Sequence, residues 1–125
     1  MADTTGGNLI QENEDIRLAN ELRTIVHEKY GSISTVKQLA KISGHSVNKC
    51  TILFHKYFNI SVKEYVKNYR IKMACQMLTQ TNDSVTEISE ACGMNISYFC
   101  KLIREETGLT PLAYRRAYYR SQNTK

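Results

Sequence analysis

The sequence predicts an all-α chain of about seven helices, built as two helix-turn-helix subdomains joined by a long linker helix. Two observations carry that prediction. Apolar residues recur at three- and four-residue spacing, and no stretch alternates long enough to make a strand. The pattern from Thr35 to Tyr65 also returns from Ser84 to Tyr114 at a constant offset of 49 residues, without a gap. Leu39-Ala40 returns as Ile88-Ser89, Gly44 as Gly93, Cys50 as Phe99 and Leu53-Phe54 as Leu102-Ile103. Ser61 through Tyr65 returns as Thr110 through Tyr114.

Each element has a local reason. Residues 1–13 are polar, carry Gly6 and Gly7, and are expected to form a flexible tail. From Glu14 to Tyr30 the positions Ile16, Leu18, Ala19, Leu22, Ile25 and Val26 keep helical spacing, and Gly31 closes that helix. Thr35 with Gln38 forms a capping box for a short helix that ends at the turn Ser43-Gly44-His45. Ser46 caps the next helix, which reaches about Tyr57. Ser61 with Glu64 opens the linker helix, whose roughly 17 residues span ~25 Å. Ser84 with Glu87 opens the second unit, Gly93 turns, and Asn95 caps a helix to about Glu106. Thr110 caps the last helix, with Pro111 at its favoured first position. The expected organisation is a tail at 1–13, a first subdomain at 14–60, the linker helix at 61–80, a second subdomain at 81–120 and a tail at 121–125.

Charge is unevenly placed. Residues 1–28 hold six acids and two bases, net −4, whereas residues 29–125 hold fifteen bases and six acids, net +9. The basic part attracts phosphate. No apolar run approaches the ~20 residues of a membrane helix, and Met1 to Glu14 has no signal-peptide core, so a cytoplasmic, nucleoid-associated protein is expected. Cys50, Cys75, Cys92 and Cys100 lack CxxC spacing and fit reduced, buried thiols better than disulfides or zinc ligands. The histidines His27, His45 and His55 are scattered, and neither a metal nor a cofactor is expected.

Several residues then carry a resemblance. Arg70-Ile71, Ala74, Leu78, Glu87-Ile88, Gly93, Tyr98-Phe99, Gly108, Thr110-Pro111 and Tyr114-Arg115 resemble the signature of the AraC/XylS-type transcription regulators. Leu39-Ala40, Gly44, Ser46, Leu53-Phe54 and Glu64-Tyr65 are similar to its first half, so the likeness runs roughly from Ile16 to Arg116. It implies two recognition helices offered to successive major-groove segments of double-stranded DNA. It also implies activation through RNA polymerase, the commonest mode in the family. The chain departs from the pattern at Cys50, Asn59, Ser89 and Met94, and is one residue shorter between Gly93 and Tyr98. That shortening implies a tilted or shifted second recognition helix.

Helical projection selects the residues expected to touch DNA. In the first recognition helix Cys50, Leu53, Phe54 and Tyr57 form the buried stripe, leaving Val47, Asn48, Thr51, Ile52 and His55 outward. Asn48 suits an adenine edge, and Thr51 and Ile52 suit a thymine methyl. Lys49 and Lys56 suit phosphate. In the second, Asn95, Ser97, Cys100, Lys101 and Arg104 face outward or flank, and Lys101 is the best guanine reader. Arg115, Arg116 and Arg120 fit a phosphate patch, a counter-charge to the last helix's C-terminus, or a free tail. Arg70 fits a structural anchor or a DNA contact.

A single chain carrying two units is expected to bind DNA as a monomer. The competing reading is a helical protein-protein adaptor with a basic face, which would need an exposed apolar groove. An enzyme built on a reactive cysteine would need a paired histidine or zinc-like spacing, and the sequence offers neither.

Overall fold

The computed structural model describes residues 2–123, with side chains from Leu9 onward, and this stretch contains seven α-helices. They are α1 (Ala2–Lys29), α2 (Val36–Ser43), α3 (Val47–Phe58), α4 (Val62–Gln80), α5 (Val85–Ala91), α6 (Ile96–Thr107) and α7 (Pro111–Asn123). The chain divides into two compact units, residues 1–66 and 67–125.

In the first unit, Leu18, Ala19, Leu22 and Val26 of α1 form a stripe at three- and four-residue spacing. That stripe packs with Leu39 and Ala40 of α2, Cys50, Leu53 and Phe54 of α3, the loop residue Ile33, and Val62 and Val66. Each fully buried side chain of this size contributes about 1.5–3 kcal/mol. Burial is what holds α2, because eight residues are too few for a helix to stand alone in water. An aromatic cluster adds direction. Phe54 meets Phe58 and Tyr65 edge-on at centroid distances of 5.0 and 5.4 Å, and Arg23 lies over Phe58 at 5.3 Å. The Tyr65 hydroxyl and His27 Nε2 share a hydrogen bond of 2.6 Å.

The second unit repeats the plan with Ala74, Leu78, Ile88, Cys92, Met94, Phe99, Leu102 and Ile103 buried. Two arginines tie it together. Arg115 donates from Nε to the Leu78 carbonyl at 2.8 Å, and from one terminal nitrogen to those of Asp83 and Thr81 at 2.7 and 3.3 Å. It therefore closes the C-terminal end of α4, whose last carbonyls lack helical partners. Arg70 is buried and donates to the Gly93 carbonyl at 3.5 Å, with burial lowering its pKa against the opposing influence of Cys92 and Tyr98. Both guanidinium groups serve the fold.

Helix boundaries depart from the sequence expectation in two places. The residues expected as a tail, 1–13, carry helix from Ala2, and Met1 lies outside the described residues. Local pairs extend α1 past its buried stripe: Gln11 donates to Asp15 at 2.9 Å, and Arg17 pairs with Glu14 at 2.8 Å and Glu21 at 3.9 Å. At the other end α7 continues through Asn123, into the stretch expected as a tail, while Thr124 and Lys125 lie outside the description. The helix expected at 61–80 is α4, Val62–Gln80. Val62 and Val66 of α4 are buried in the first core, while Arg70, Ala74 and Leu78 are buried residues of the second unit.

Two measurements check these anchors. Arg115→Ala removes three bonds to carbonyls, and chemical denaturation should show a loss of about 2–4 kcal/mol. Arg115→Lys should recover little, because an ammonium cannot reproduce the planar fork. A loss under ~0.5 kcal/mol would show that water replaces the guanidinium. Glu87 accepts from the Ser84 N–H at 2.9 Å, and that backbone bond first, then the Ser84 hydroxyl, holds its carboxyl below the usual range. The box therefore contributes stability above the ordinary glutamate pKa of ~4.3 and loses it as pH falls through the lower folded value. Glu87→Gln should flatten that acid limb of the stability curve, and an unchanged limb would assign it to other carboxylates.

Candidate nucleic-acid interface

The two recognition helices are built alike. Both α3 and α6 have twelve residues and start 49 positions apart. Ser46 caps α3 by accepting from the Lys49 N–H at 3.1 Å, and Asn95 caps α6 by accepting from the Tyr98 N–H at 2.8 Å. Their cap dihedrals agree, with φ −71° and ψ 155° at Ser46 and φ −72° and ψ 158° at Asn95. The two helices are therefore alike in cap geometry and length. Ahead of each helix the chain reverses through a left-handed glycine, Gly44 at φ 79° and Gly93 at φ 74°. Asn59 supplies the same left-handed conformation after α3 that Gly108 supplies after α6.

The inward stripes follow the projection except at Tyr57, which is half-buried against the core: Cys50, Leu53 and Phe54 are buried in α3, and Phe99, Leu102 and Ile103 in α6. Of the residues singled out for DNA, Val47, Asn48, Lys49, Ile52, His55 and Lys56 are exposed on α3, and Thr51 is half-buried. On the second unit Asn95, Ser97, Lys101 and Arg104 are exposed and Cys100 is half-buried. The structure thus brings each set onto one helix and its cap.

Hydrogen bonding limits what two of these groups can offer. The Thr51 hydroxyl donates to the Val47 carbonyl at 2.9 Å, so its methyl group is what remains for a thymine. The Asn95 side-chain oxygen is committed to the cap, leaving its amide N–H groups. Lys56 lies over the Tyr57 ring at 5.2 Å, and its pKa is raised by the Tyr57 side chain first, with the Asp15 and Glu12 carboxylates adding to it.

Ile96 and Tyr98, 40% and 46% exposed in the first turn of α6, belong to the same surface and were missed. The repeat carried the signal for Ile96, since the 49-residue register maps Val47 onto it. Tyr98 occupies the register position of Lys49, an aromatic ring where the first unit has a charge.

Burial pushes the thiols of Cys50, Cys75 and Cys92 up, Cys92 to about 11, which is the reverse of nucleophile activation. Among the described residues no helix is long and apolar enough to cross a membrane.

Comparison with known proteins matches this geometry. A helix-turn-helix domain model aligns with residues 39–117. The chain is 30% identical over 118 residues to the HTH-type transcriptional regulator YijO of Escherichia coli (strain K12), covering 94% of this chain and 42% of that protein. It is 32% identical over 98 residues to the Msm operon regulatory protein of Streptococcus mutans, covering 78% of this chain and 35% of that one. The chain therefore spans less than half the length of these relatives. In fold it is similar to the DNA-binding domain of AdpA, a global transcriptional factor solved in complex with a target DNA. That similarity has a TM-score of 0.76 at 21% identity, over 86% of this chain and 97% of that one. The chain belongs to the helix-turn-helix family, as a DNA-binding domain of the AraC type of transcription regulator.

Proposed function

We propose that this chain reads double-stranded DNA with both recognition helices, α3 and α6 entering successive major-groove segments of a single non-palindromic site. The observation that carries the reading is the matched pair of capped twelve-residue helices, each with an apolar stripe buried and a polar face free. The net +9 of residues 29–125 supplies the attraction to phosphate. The two faces differ in chemistry. Asn48, Thr51 and Ile52 favour an A·T-rich segment, whereas Lys101 favours a guanine in the other, with Arg104 reaching base or phosphate. Activation through RNA polymerase is the proposed outcome of binding. A helical adaptor is less well supported, because the exposed apolar side chains of α3 and α6 (Val47, Ile52, Ile96 and Tyr98) stand among polar and charged ones rather than in a continuous apolar groove.

Selection of bound sites from random duplex DNA, followed by footprinting, tests this. Two contacted segments about ten base pairs apart are expected, since that spacing returns the major groove to one face. Inserting roughly five base pairs between them should remove one segment's contribution. One short contacted segment, insensitive to the insertion, would reject two-unit reading while sparing DNA binding. A palindromic footprint filled by two chains would reject the monomer.

Residue roles separate in a second measurement. Lys101→Ala should cost about 1–3 kcal/mol on the selected site and little on random duplex. Lys56→Ala should weaken both alike and lower the salt slope by ~0.9. Identical behaviour of the two variants on both DNAs would overturn the division into base and phosphate contacts.

A further inference from the structure

The two helix-turn-helix pairs place their charge in opposite ways. Residues 36–58, from the start of α2 to the end of α3, hold four lysines and no acid, net +4. The same span one repeat later, residues 85–107, holds two bases and four acids, net −2. The 49-residue register shows where the exchange occurs. Lys37, Lys41, Lys49 and Lys56 become Thr86, Glu90, Tyr98 and Glu105, whereas Ile52 and His55 become Lys101 and Arg104. All of these side chains are exposed. In α3, Lys49 and Lys56 lie within about 20° of each other on one flank, and Ile52 and His55 lie opposite the buried stripe. Lys37 and Lys41 stand four residues apart on one face of α2, the helix that in this motif crosses the DNA backbone. The first pair is therefore basic where a duplex offers phosphate, and free of lysine and arginine where it offers bases. The second pair is basic where it meets bases, and acidic or neutral at the flanks. Arg70 and Arg115 do not restore phosphate attraction there, since both are bonded to backbone carbonyls.

We propose that the two units divide the work: the first anchors the chain on duplex of any sequence, and the second seats only where its bases fit. Resting on the two-unit reading above, this assigns discrimination to the second unit. Phosphate contacts carry no sequence information, so α2 and the lysine flank of α3 hold random and selected DNA alike. In the second pair Glu90 and Glu105 meet the same polyanion and oppose its approach, so base contacts from Lys101 and Arg104 must bring that pair down. On random duplex the second unit stays off, and the first alone sets the salt dependence.

Two double variants test the division, on the selected site and on random duplex at low salt. Lys37→Gln with Lys41→Gln should weaken both DNAs alike, by roughly tenfold, and lower both salt slopes by ~1.8. Glu90→Gln with Glu105→Gln should tighten the selected site roughly two- to tenfold and change random duplex less than about twofold, because these acids act only when the second unit is seated. All four side chains are exposed and take no part in the helix caps, so stability should hold. Equal gains from the acid variant on both DNAs would reduce its effect to net charge and overturn the division. Unchanged binding by either variant on both DNAs would overturn it too, as would weakening of the selected site alone by the lysine variant. With two contacted segments in the footprint, any of these results sinks the division and spares the two-unit reading. A single contacted segment, or no duplex binding by the original chain, overturns that reading and the division with it.

Discussion

What each recognition helix can show to the outside is decided by what its other face must bury. Cys50, Leu53 and Phe54 in α3, and Phe99, Leu102 and Ile103 in α6, recur at three- and four-residue spacing and lose nearly all contact with water. Rotating either helix by one residue, about 100°, would expose an aromatic ring and bury an asparagine or lysine without a partner, at a cost of several kcal/mol. The short helices α2 and α5, of eight and seven residues, exist only because they cover those stripes. Every other feature of the interface, from the caps to the left-handed turns, serves to hold that rotation.

Much of this was legible because it is local. The boxes at Thr35 and Ser84, the caps at Ser46 and Asn95 and the turns at Gly44 and Gly93 depend on residues within four positions of one another. Helical projection then separated the buried stripe from the outward face in both units. The illegible parts are those that depend on chain-distant partners. Arg115 closes α4 through bonds reaching 32 to 37 residues back, and nothing in its sequence neighbourhood separates that role from a phosphate contact. The start of α1 failed for another reason. Gly6 and Gly7 are poor helix formers, and the expectation weighed them above the side-chain pairs from Gln11 to Glu21. On the interface, Tyr98 was missed because its charged counterpart, Lys49, gave no hint of a ring at that register position.

Equal geometry does not make equal chemistry. The repeat conserves the caps and the inward stripe, yet between Ile52 and Lys101, and between His55 and Arg104, the outward face changes character. A frame held by buried residues leaves those positions free to differ, because exposed substitutions away from caps cost little stability. Two frames of one design can therefore carry two unrelated base preferences on one chain.

The same freedom extends to affinity. Phosphate contacts supply binding without sequence information, and a chain that made too many would spend its time on random duplex. The charge asymmetry between residues 1–28 and the rest of the chain, net −4 against +9, leaves the excess of bases on the part that carries both recognition helices.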